Sequence, residues 1–174
     1  MILDILKYPN TILKKKAGEV RSVSEIQKLI RDMSDTMYAA PGIGLAAPQV
    51  GVALRLAVID PSPPDRKDLI VIINPEIVSM EGEISIEEGC LSLPGPRALV
   101  KRAERVRVRA LDSNGHPMEK EAEGLLAIVI QHEIDHLNGR LFIDHLSRLK
   151  REAILREYKK GGSGPSSQSP PVSL

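Results

Sequence analysis

The sequence predicts a single domain in which helices and strands are both present and a buried helix lies towards the carboxyl end. Residues 124–130 read Gly-Leu-Leu-Ala-Ile-Val-Ile, and a segment that is apolar on all sides is typical of a helix buried in the core. Several segments between residues 54 and 122 alternate apolar and polar side chains or form short apolar runs, which indicates strands. The 174 residues are enough for one domain with a sizeable core.

The first predicted helix runs from Ser24 to about Ala40, with Ser22 or Ser24 as its amino-terminal cap. One face of this helix carries apolar side chains at helical spacing, and we expect that face to pack into the core. These side chains are Ile26, Leu29, Ile30, Met33 and Met37. The segment Pro41–Gly44 then ends the helix.

Strands are predicted between the first helix and the buried one. In residues 105–110 arginine alternates with Val or Ala, which is the pattern of a strand with one face in solvent. The predicted strands cover residues 54–59, 70–74, 77–80, 83–87 and 105–110, and a last strand ends near residue 122. A polar, proline-rich loop is expected at 61–68, and Ser113-Asn114-Gly115 predicts a turn.

The buried helix is expected to end at Gly139, because glycine commonly takes the left-handed conformation just after a helix. A final helix is predicted from His145 to Lys159, with Leu146, Leu149 and Ala153 facing inward. Residues 161–174 are rich in Gly, Ser, Pro and Gln and are expected to form a disordered tail. Residues 1–160 are then expected to form one domain.

The composition excludes several classes of function. With 24 basic and 23 acidic side chains the net charge is +1, so extensive or sequence-specific nucleic-acid binding is not expected. No apolar run approaches the roughly 20 residues of a membrane span, and the amino terminus lacks the pattern of a secretory signal. A single cysteine cannot form an internal disulfide, which agrees with a reducing compartment. We therefore expect the protein in the cytoplasm.

A metal site is predicted at Gln131-His132-Glu133-Ile134-Asp135-His136. Positions i and i+4 of a helix lie on one face, so His132 and His136 are placed to bind one metal ion. Glu133 lies about 100° around the helix from His132, beside a water on the metal and not on the metal itself. This His-Glu-x-x-His arrangement is typical of metal hydrolases, although two histidines can also share a helical spacing by chance.

A catalytic metal needs a third protein ligand and one open position for water. The candidates are Cys90 or an Asp or Glu from elsewhere in the chain. Cys90 follows Gly89 at the end of an alternating segment, and glycine permits close approach of the backbone. A lone cysteine is more often an inert buried side chain, but next to a histidine pair the thiol becomes the favoured ligand.

Hydrolysis of an amide also needs donors directed at the oxyanion that develops. The segment Gly42-Ile43-Gly44-Leu45-Ala46-Ala47-Pro48-Gln49 leaves its backbone bare at two glycines and offers the uncharged amide of Gln49. On its own this pattern is weak, because the glycines can serve a turn and Gln49 can face solvent.

Three segments in this order resemble the signature motifs of the peptide deformylase family. They are Gly42-Ile43-Gly44-Leu45-Ala46-Ala47-Pro48-Gln49, Glu88-Gly89-Cys90-Leu91-Ser92 and Gln131-His132-Glu133-Ile134-Asp135-His136. The resemblance extends over roughly residues 2 to 150 and includes Arg97-Ala98-Leu99-Val100. It implies an α+β fold in which a central metal-bearing helix is surrounded by antiparallel or mixed β-sheets, with an amino-terminal and a carboxyl-terminal helix.

The resemblance also implies an enzyme that removes the formyl group from the formyl-methionine of newly synthesised polypeptides and releases formate. The metal ligands would be Cys90, His132 and His136, with water as the fourth. Ferrous iron is the expected ion, with Zn²⁺, Ni²⁺ or Co²⁺ as substitutes. The water would attack the formyl carbon with Glu133 as general base and then general acid, while the Gln49 amide and the Leu91 backbone N–H stabilise the oxyanion.

The same resemblance, read with the residue types, gives a substrate site. Ile43, Ile128 and Val129 would form a pocket for the methionine side chain. The backbone of Gly44 would pair with the extended substrate as an added strand, and Gly89 would leave the backbone bare beside it.

Two acidic residues, Glu88 and Asp135, lie within the motifs. We hypothesise that Glu88 and Asp135 support the metal ligands or form buried ion pairs with Arg97 or Arg102.

The final helix up to Lys160 has six basic and two acidic side chains, a net charge of +4. Some members of the family dock on the ribosome through such a helix, although a solvated charged face is the commoner explanation.

Two other functions remain open at this point. A metallopeptidase of the His-Glu-x-x-His type takes its third ligand downstream, where His145 is available. A structural metal site requires a fourth protein ligand and no open position, and His116 is the remaining histidine.

Overall fold

The computed structural model describes residues 1–62, 64–65 and 67–161, so residues 162–174 of the predicted tail lie outside the described residues. The strands are β1 Gly44–Ala46, β2 Leu56–Ile59, β3 Ile70–Glu81, β4 Ile84–Cys90, β5 Leu93–Arg102, β6 Arg105–Leu111 and β7 Pro117–Glu123. The α-helices are α1 Gln27–Ala39, α2 Gly124–Leu137 and α3 Arg148–Lys159. The α+β class predicted from the sequence is therefore confirmed.

Two antiparallel sheets are present in the described part of the chain. One has five strands in the order β1-β2-β3-β6-β7, and the other is the β4–β5 pair. In β6 the side chains of Val106, Val108 and Ala110 are buried, as the alternation predicted. The arginines between them lie opposite glutamates of β7, and such opposite-charge pairs across strands stabilise the register.

Helix α2 is buried almost throughout, and its central residues 127–134 are all inaccessible or nearly so. It packs against β1, β2, β6 and β7. The helix ends before Gly139, which has φ +74°. A Cβ at Gly139 would lie 2.5 Å from the Lys14 carbonyl oxygen, so both conformation and close packing require glycine there. The predicted helix end is confirmed.

The sheets differ from the sequence prediction at two places. Strand β5 was not predicted, because Pro94, Gly95 and Pro96 hide the apolar alternation of an element in a two-stranded sheet. Strand β3 is one strand, whereas two strands, 70–74 and 77–80, were predicted on either side of Pro75-Glu76. The pairing of β3 with β6 is irregular here, and Asn74 has φ +51°.

The helix details also differ. A 3-10 turn, Ser24–Ile26, precedes α1, whose first turn has no side-chain cap. The predicted serine cap is therefore wrong, and the Ser22 and Ser24 hydroxyls contact each other at 3.0 Å. The apolar face of α1 is confirmed, since all its predicted members are buried or half-buried.

The inward residues of the final helix were predicted correctly only at Leu146, which precedes α3, is half-buried and packs against a core cluster. Leu149 is 80% exposed and Ala153 is exposed. The buried side is instead set by Ile154 and the half-buried Tyr158, which lie one helical turn apart. Among the described residues, no helix is long and apolar enough to cross a membrane.

Candidate metal centre and active site

Three buried side chains from two elements converge at one point. Cys90 is the last residue of β4, and His132 and His136 lie one turn apart on α2. The Cys90 Sγ is 3.3 Å from His136 Nε2, which is 3.2 Å from His132 Nε2. The three atoms lie within 4.8 Å of one another and form a group that could hold a metal ion.

The chemistry of this donor set suits a transition-metal ion. Burial raises the pKa of the Cys90 thiol to about 12, and a bound cation would offset that penalty on the thiolate. Burial, together with the neighbouring His132, lowers the pKa of His136 well below its usual value, so His136 is the neutral imidazole that metals bind. Thiolate and imidazole together favour ions such as Zn²⁺, Fe²⁺ or Co²⁺ over Mg²⁺ or Ca²⁺.

Glu88 orients His132 from the side opposite the cluster. The His132 Nδ1 lies 2.8 Å from Glu88 Oε1, so a proton on Nδ1 leaves Nε2 free to face the other donors. Arg102 binds Glu88 through Nε and Nη2, each at 2.8 Å. Although burial alone would raise it, the bonds from Arg102 and His132 hold the pKa of Glu88 below its usual value.

Arg102 also binds Asp135 of α2, which in turn contacts His145. The Arg102 Nη1 donates to Asp135 Oδ2 at 2.6 Å, and His145 Nε2 lies 2.6 Å from the same oxygen. Burial would raise the pKa of Asp135, but His145 and Arg102 lower it to about 2. Arg102 is thus the partner of both Glu88 and Asp135, as hypothesised. Because His145 bonds to Asp135, it does not lie in the metal group, and the metallopeptidase ligand set loses its support.

The Glu133 carboxylate lies beside the cluster without a hydrogen-bond partner among the described residues. It is fully buried, and burial raises its pKa well above the usual value. It also lies against the backbone of β1, because a Cβ at Gly44 would be 2.3 Å from Glu133 Oε1 and 3.0 Å from Val129 Cγ1. A buried carboxylate with free acceptor positions is suited to taking a proton from a small molecule in the site.

The Gln49 amide reaches the same cluster from a 3-10 helix, Ala47–Val50. Its Oε1 accepts from the Ala46 N–H at 2.9 Å, which fixes the amide so that Nε2 faces inward. That nitrogen lies 3.6 Å from Cys90 Sγ and 3.2 Å from Ser92 Oγ. Gln49 is therefore buried and oriented, and it does not face solvent.

Two residues of this region were missed in the sequence analysis. Ser92 is fully buried and holds the Gln49 amide, and its place two residues after Cys90 in the motif was the available signal. Ile86 is half-buried and packs against the core cluster that contains Ile128 and Val129. The alternation of β4 showed that Ile86 faces inward, but nothing in the sequence tied it to the site.

The apolar side chains predicted to form the methionine pocket pack together close to β1, the edge strand predicted to bind the substrate. Ile43 is half-buried and packs on the same cluster as Ile128 and Val129, both fully buried. Strand β1 is at the edge of its sheet. The Asp60 N–H donates to the Ile43 carbonyl, and since antiparallel pairing alternates, the polar backbone groups of Gly44 point away from β2.

The remaining predicted residues, Gly89 and Leu91, flank Cys90. Gly89 is buried, and a Cβ there would lie 3.3 Å from Arg97 Nε. Leu91 is the first residue of the turn between β4 and β5, so its backbone N–H is part of the peptide that follows Cys90. All predicted site residues thus belong to elements that surround one buried cluster.

The chain was compared with known proteins. It matches the family model described as polypeptide deformylase over residues 2–152. A peptide deformylase of Thermodesulfovibrio yellowstonii is 58% identical over 160 residues, which are 91% of this chain and 97% of that protein.

Solved structures show the same similarity. A peptide deformylase crystal structure from Legionella pneumophila has a TM-score of 0.88 at 55% identity, covering 92% of this chain and 95% of that one. One from Ehrlichia chaffeensis in complex with actinonin has a TM-score of 0.86 at 40% identity, covering 92% and 97%. Residues 2–152, which the family model matches, include Cys90, His132 and His136. The chain therefore belongs to the polypeptide deformylase family and is an enzyme of that family.

Proposed function

We propose that this enzyme removes the formyl group from the formyl-methionine of nascent polypeptides in the cytoplasm, and that Cys90, His132 and His136 hold the divalent metal ion on which the reaction depends. One observation carries the proposal: three buried donor atoms converge beside a buried carboxylate that has no partner of its own among the described residues. Ferrous iron is the ion that the family resemblance implies.

The residues around the cluster have different roles in the proposed hydrolysis. The ion, when bound, supplies Lewis-acid charge that activates water and polarises the formyl oxygen. Glu133 accepts a proton from the attacking water and then donates it to the nitrogen that leaves. The Gln49 amide and the Leu91 N–H donate to the oxygen as it gains charge. Glu88 keeps His132 in one tautomer throughout.

The experiment that tests this proposal is a formate-release assay. The metal-free protein is reconstituted anaerobically with Fe²⁺ and given a formyl-methionyl peptide or the same peptide without the formyl group. We expect formate from the first and no cleavage product from the second, and activity that is lost with the metal. Cleavage of the unformylated peptide would instead favour a metallopeptidase.

We further propose that the substrate lies along β1 as an added strand. The backbone groups of Gly44 point to the open edge of the sheet, and Gly89 lies buried on the β4 side of the cluster. An extended peptide bonded to that edge gains affinity from its main chain, which all nascent chains share. Selection then rests on the side chain of the first residue.

The methionine pocket is assigned to Ile43, Ile128 and Val129. An unbranched, flexible side chain fits an apolar pocket beside the cluster, and the loss of one methylene group in such a pocket changes discrimination by about 1–3 kcal/mol. Ile86 extends the same apolar wall.

Enlarging the pocket should relax this selection. We expect Val129→Ala to raise kcat/KM for peptides with a bulkier first residue relative to formyl-methionine, because the pocket gains volume. The measurement is kcat/KM over a set of formyl peptides. Val108→Ala is the matched control, since Val108 is equally buried in the same cluster but lies on β6. An unchanged profile for Val129→Ala would place the pocket elsewhere.

We also propose that the basic outer face of α3 contributes to ribosome docking. The helix is anchored by Ile154 and by the bond from the Tyr158 hydroxyl to the Tyr8 carbonyl. Its basic side chains lie mainly on the outside, where they suit a polyanionic partner.

This docking predicts a charge-dependent co-sedimentation. We expect a Lys150→Gln, Arg156→Gln, Lys159→Gln variant to pellet less with ribosomes than the unaltered protein, and the difference to shrink as salt rises. Deleting the helix would be a poorer test, because Ile154 belongs to the core. The control replaces three exposed bases outside the helix, Lys15, Lys16 and Arg21, by glutamine. Equal pelleting of both variants would exclude docking through α3.

A further inference from the structure

A two-residue turn places backbone donors around the Cys90 sulfur. Cys90 and Leu93 are paired residues of β4 and β5, and Leu91 and Ser92 form the turn between them. Burial raises the pKa of the Cys90 thiol, and the backbone N–H groups of Ser92 and Leu93 lie close enough to lower it in part. The direction of these donors depends on the orientation of the peptide units in the turn.

The carbonyl groups of that turn are held by the amino-terminal segment. The Lys7 Nζ donates to the Leu91 carbonyl oxygen at 2.6 Å, and the Tyr8 N–H donates to the Ser92 carbonyl oxygen at 2.8 Å. Partial burial lowers the pKa of Lys7 below its usual value. The Lys7 side chain is exposed as a whole, and its bond to the carbonyl is a charge-assisted hydrogen bond.

These contacts meet in one peptide unit. In the peptide unit between Leu91 and Ser92, the carbonyl oxygen accepts a hydrogen bond from the Lys7 ammonium. The N–H of the same unit points the opposite way, towards the Cys90 sulfur, whose pKa it lowers. We propose that Lys7 is a positioning residue for the metal centre, which fixes and polarises this peptide so that its N–H stays on the sulfur of Cys90. The inference rests on the proposed function, because it requires Cys90 to be a metal ligand.

The proposed effect follows from how hydrogen bonds act on metal thiolates. Donors to a ligating sulfur take up part of its negative charge and hold it in one orientation, which tunes the metal and its retention. A cation on the carbonyl oxygen strengthens the opposite N–H dipole of the same peptide. Without Lys7 the Leu91 carbonyl would turn to water, and the peptide would be free to rotate away from the sulfur.

The test measures the metal centre directly in the full-length protein. The metal-free protein is loaded with Co²⁺, and the Co²⁺ dissociation constant and the thiolate-to-cobalt charge-transfer absorption are recorded. For Lys7→Met, which keeps most of the stem, we expect Co²⁺ to bind about tenfold more weakly and the absorption band to shift. Lys7→Arg should restore both to near the original values.

Two further variants separate the causes. Lys7→Gln keeps a neutral donor and should fall between Lys7→Arg and Lys7→Met. Lys16→Met removes an exposed charge of the same kind from the same amino-terminal region and should change nothing. The difference should also persist at about 1 M salt, where the Debye length of about 3 Å screens a diffuse surface charge.

Several outcomes would overturn the inference. They are an unchanged Co²⁺ affinity and spectrum in Lys7→Met, an equal loss in Lys7→Arg or Lys16→Met, and disappearance of the difference at high salt. Cys90→Asp tells this failure from that of the proposed function. If Cys90→Asp retains the band and the affinity, the ligand assignment itself is wrong. If it loses them while Lys7→Met does not, only the role of Lys7 is excluded.

Discussion

Replacing Glu133 with alanine is expected to lower kcat by about a thousandfold, the middle of the range for a lost general acid–base group, while metal binding is retained. Glu133 is not part of the Cys-His-His group, so its removal leaves the donor atoms in place. The carboxylate is buried and has no other partner among the described residues. Its removal therefore should not lower the thermal midpoint of unfolding.

The measurement combines formate release with metal analysis on the same sample. Glu133→Gln keeps the shape of the side chain without its basicity, and it should be as inactive as the alanine variant. Glu87→Ala is the control, because Glu87 is an exposed carboxylate on β4 close to Cys90 in sequence. Turnover near that of the unaltered enzyme in Glu133→Ala would refute its role as the base.

The parts of the fold that could be predicted are those whose signal is local. The apolar run of α2 and the alternation of β6 each report burial within a few residues, and both elements were found. Strand β5 was missed because its prolines obscure the period-2 pattern. The β4–β5 pair forms a sheet separate from the five-stranded one. This depends on contacts between segments far apart in sequence, and such contacts cannot be predicted from the spacing of neighbouring residues.

The same division applies to the active site. His132, Glu133 and His136 could be placed by helical spacing alone, because one turn of α2 holds all three. Cys90 lies 46 residues from His136, so no local spacing links the two. The residue types made its thiol the favoured candidate for the third ligand, and the resemblance to a known family implied the same assignment. The shared use of Arg102 by Glu88 and Asp135 was a hypothesis with two candidate arginines, and only the structure distinguished them.

The sequence predictions were wrong where one set of apolar residues is compatible with more than one buried helix face. The apolar residues of the final helix permit more than one inward face, and Leu149 was assigned to the wrong one. The face is chosen by what lies beneath the helix, where Ile154 and Tyr158 meet Phe142 and Tyr8. A sequence shows which residues are apolar, but the supporting surface decides which of them are buried.

Replacing Gly44 with alanine should lower kcat at least a hundredfold with little effect on folding or metal binding. The φ angle of Gly44 is not in the left-handed region, so its backbone accepts alanine without strain. The new methyl group, however, would lie 2.3 Å from Glu133 Oε1, far inside van der Waals contact. The carboxylate must then move, and a displacement of about 1 Å at a reacting group costs about a hundredfold in rate.

The control for this substitution is Gly18→Ala, where the added Cβ meets only the Ala53 carbonyl oxygen at 3.7 Å. It should retain full activity. Formate release and thermal unfolding are measured for both variants. Loss of stability in Gly44→Ala comparable to its loss of activity would mean that β1 has shifted as a whole.

A double variant identifies the route of the effect. If Gly44→Ala acts by displacing the Glu133 carboxylate, it has nothing left to displace once Glu133 is alanine. The kcat of Gly44→Ala/Glu133→Ala should then equal that of Glu133→Ala alone, since residues acting as one unit are not additive. A further loss of about a hundredfold in the double variant would instead mean that the methyl group blocks the peptide at the edge of β1. The double-mutant cycle thus separates two effects of the added methyl group. One is displacement of the Glu133 carboxylate, and the other is steric exclusion of the substrate from the edge of β1.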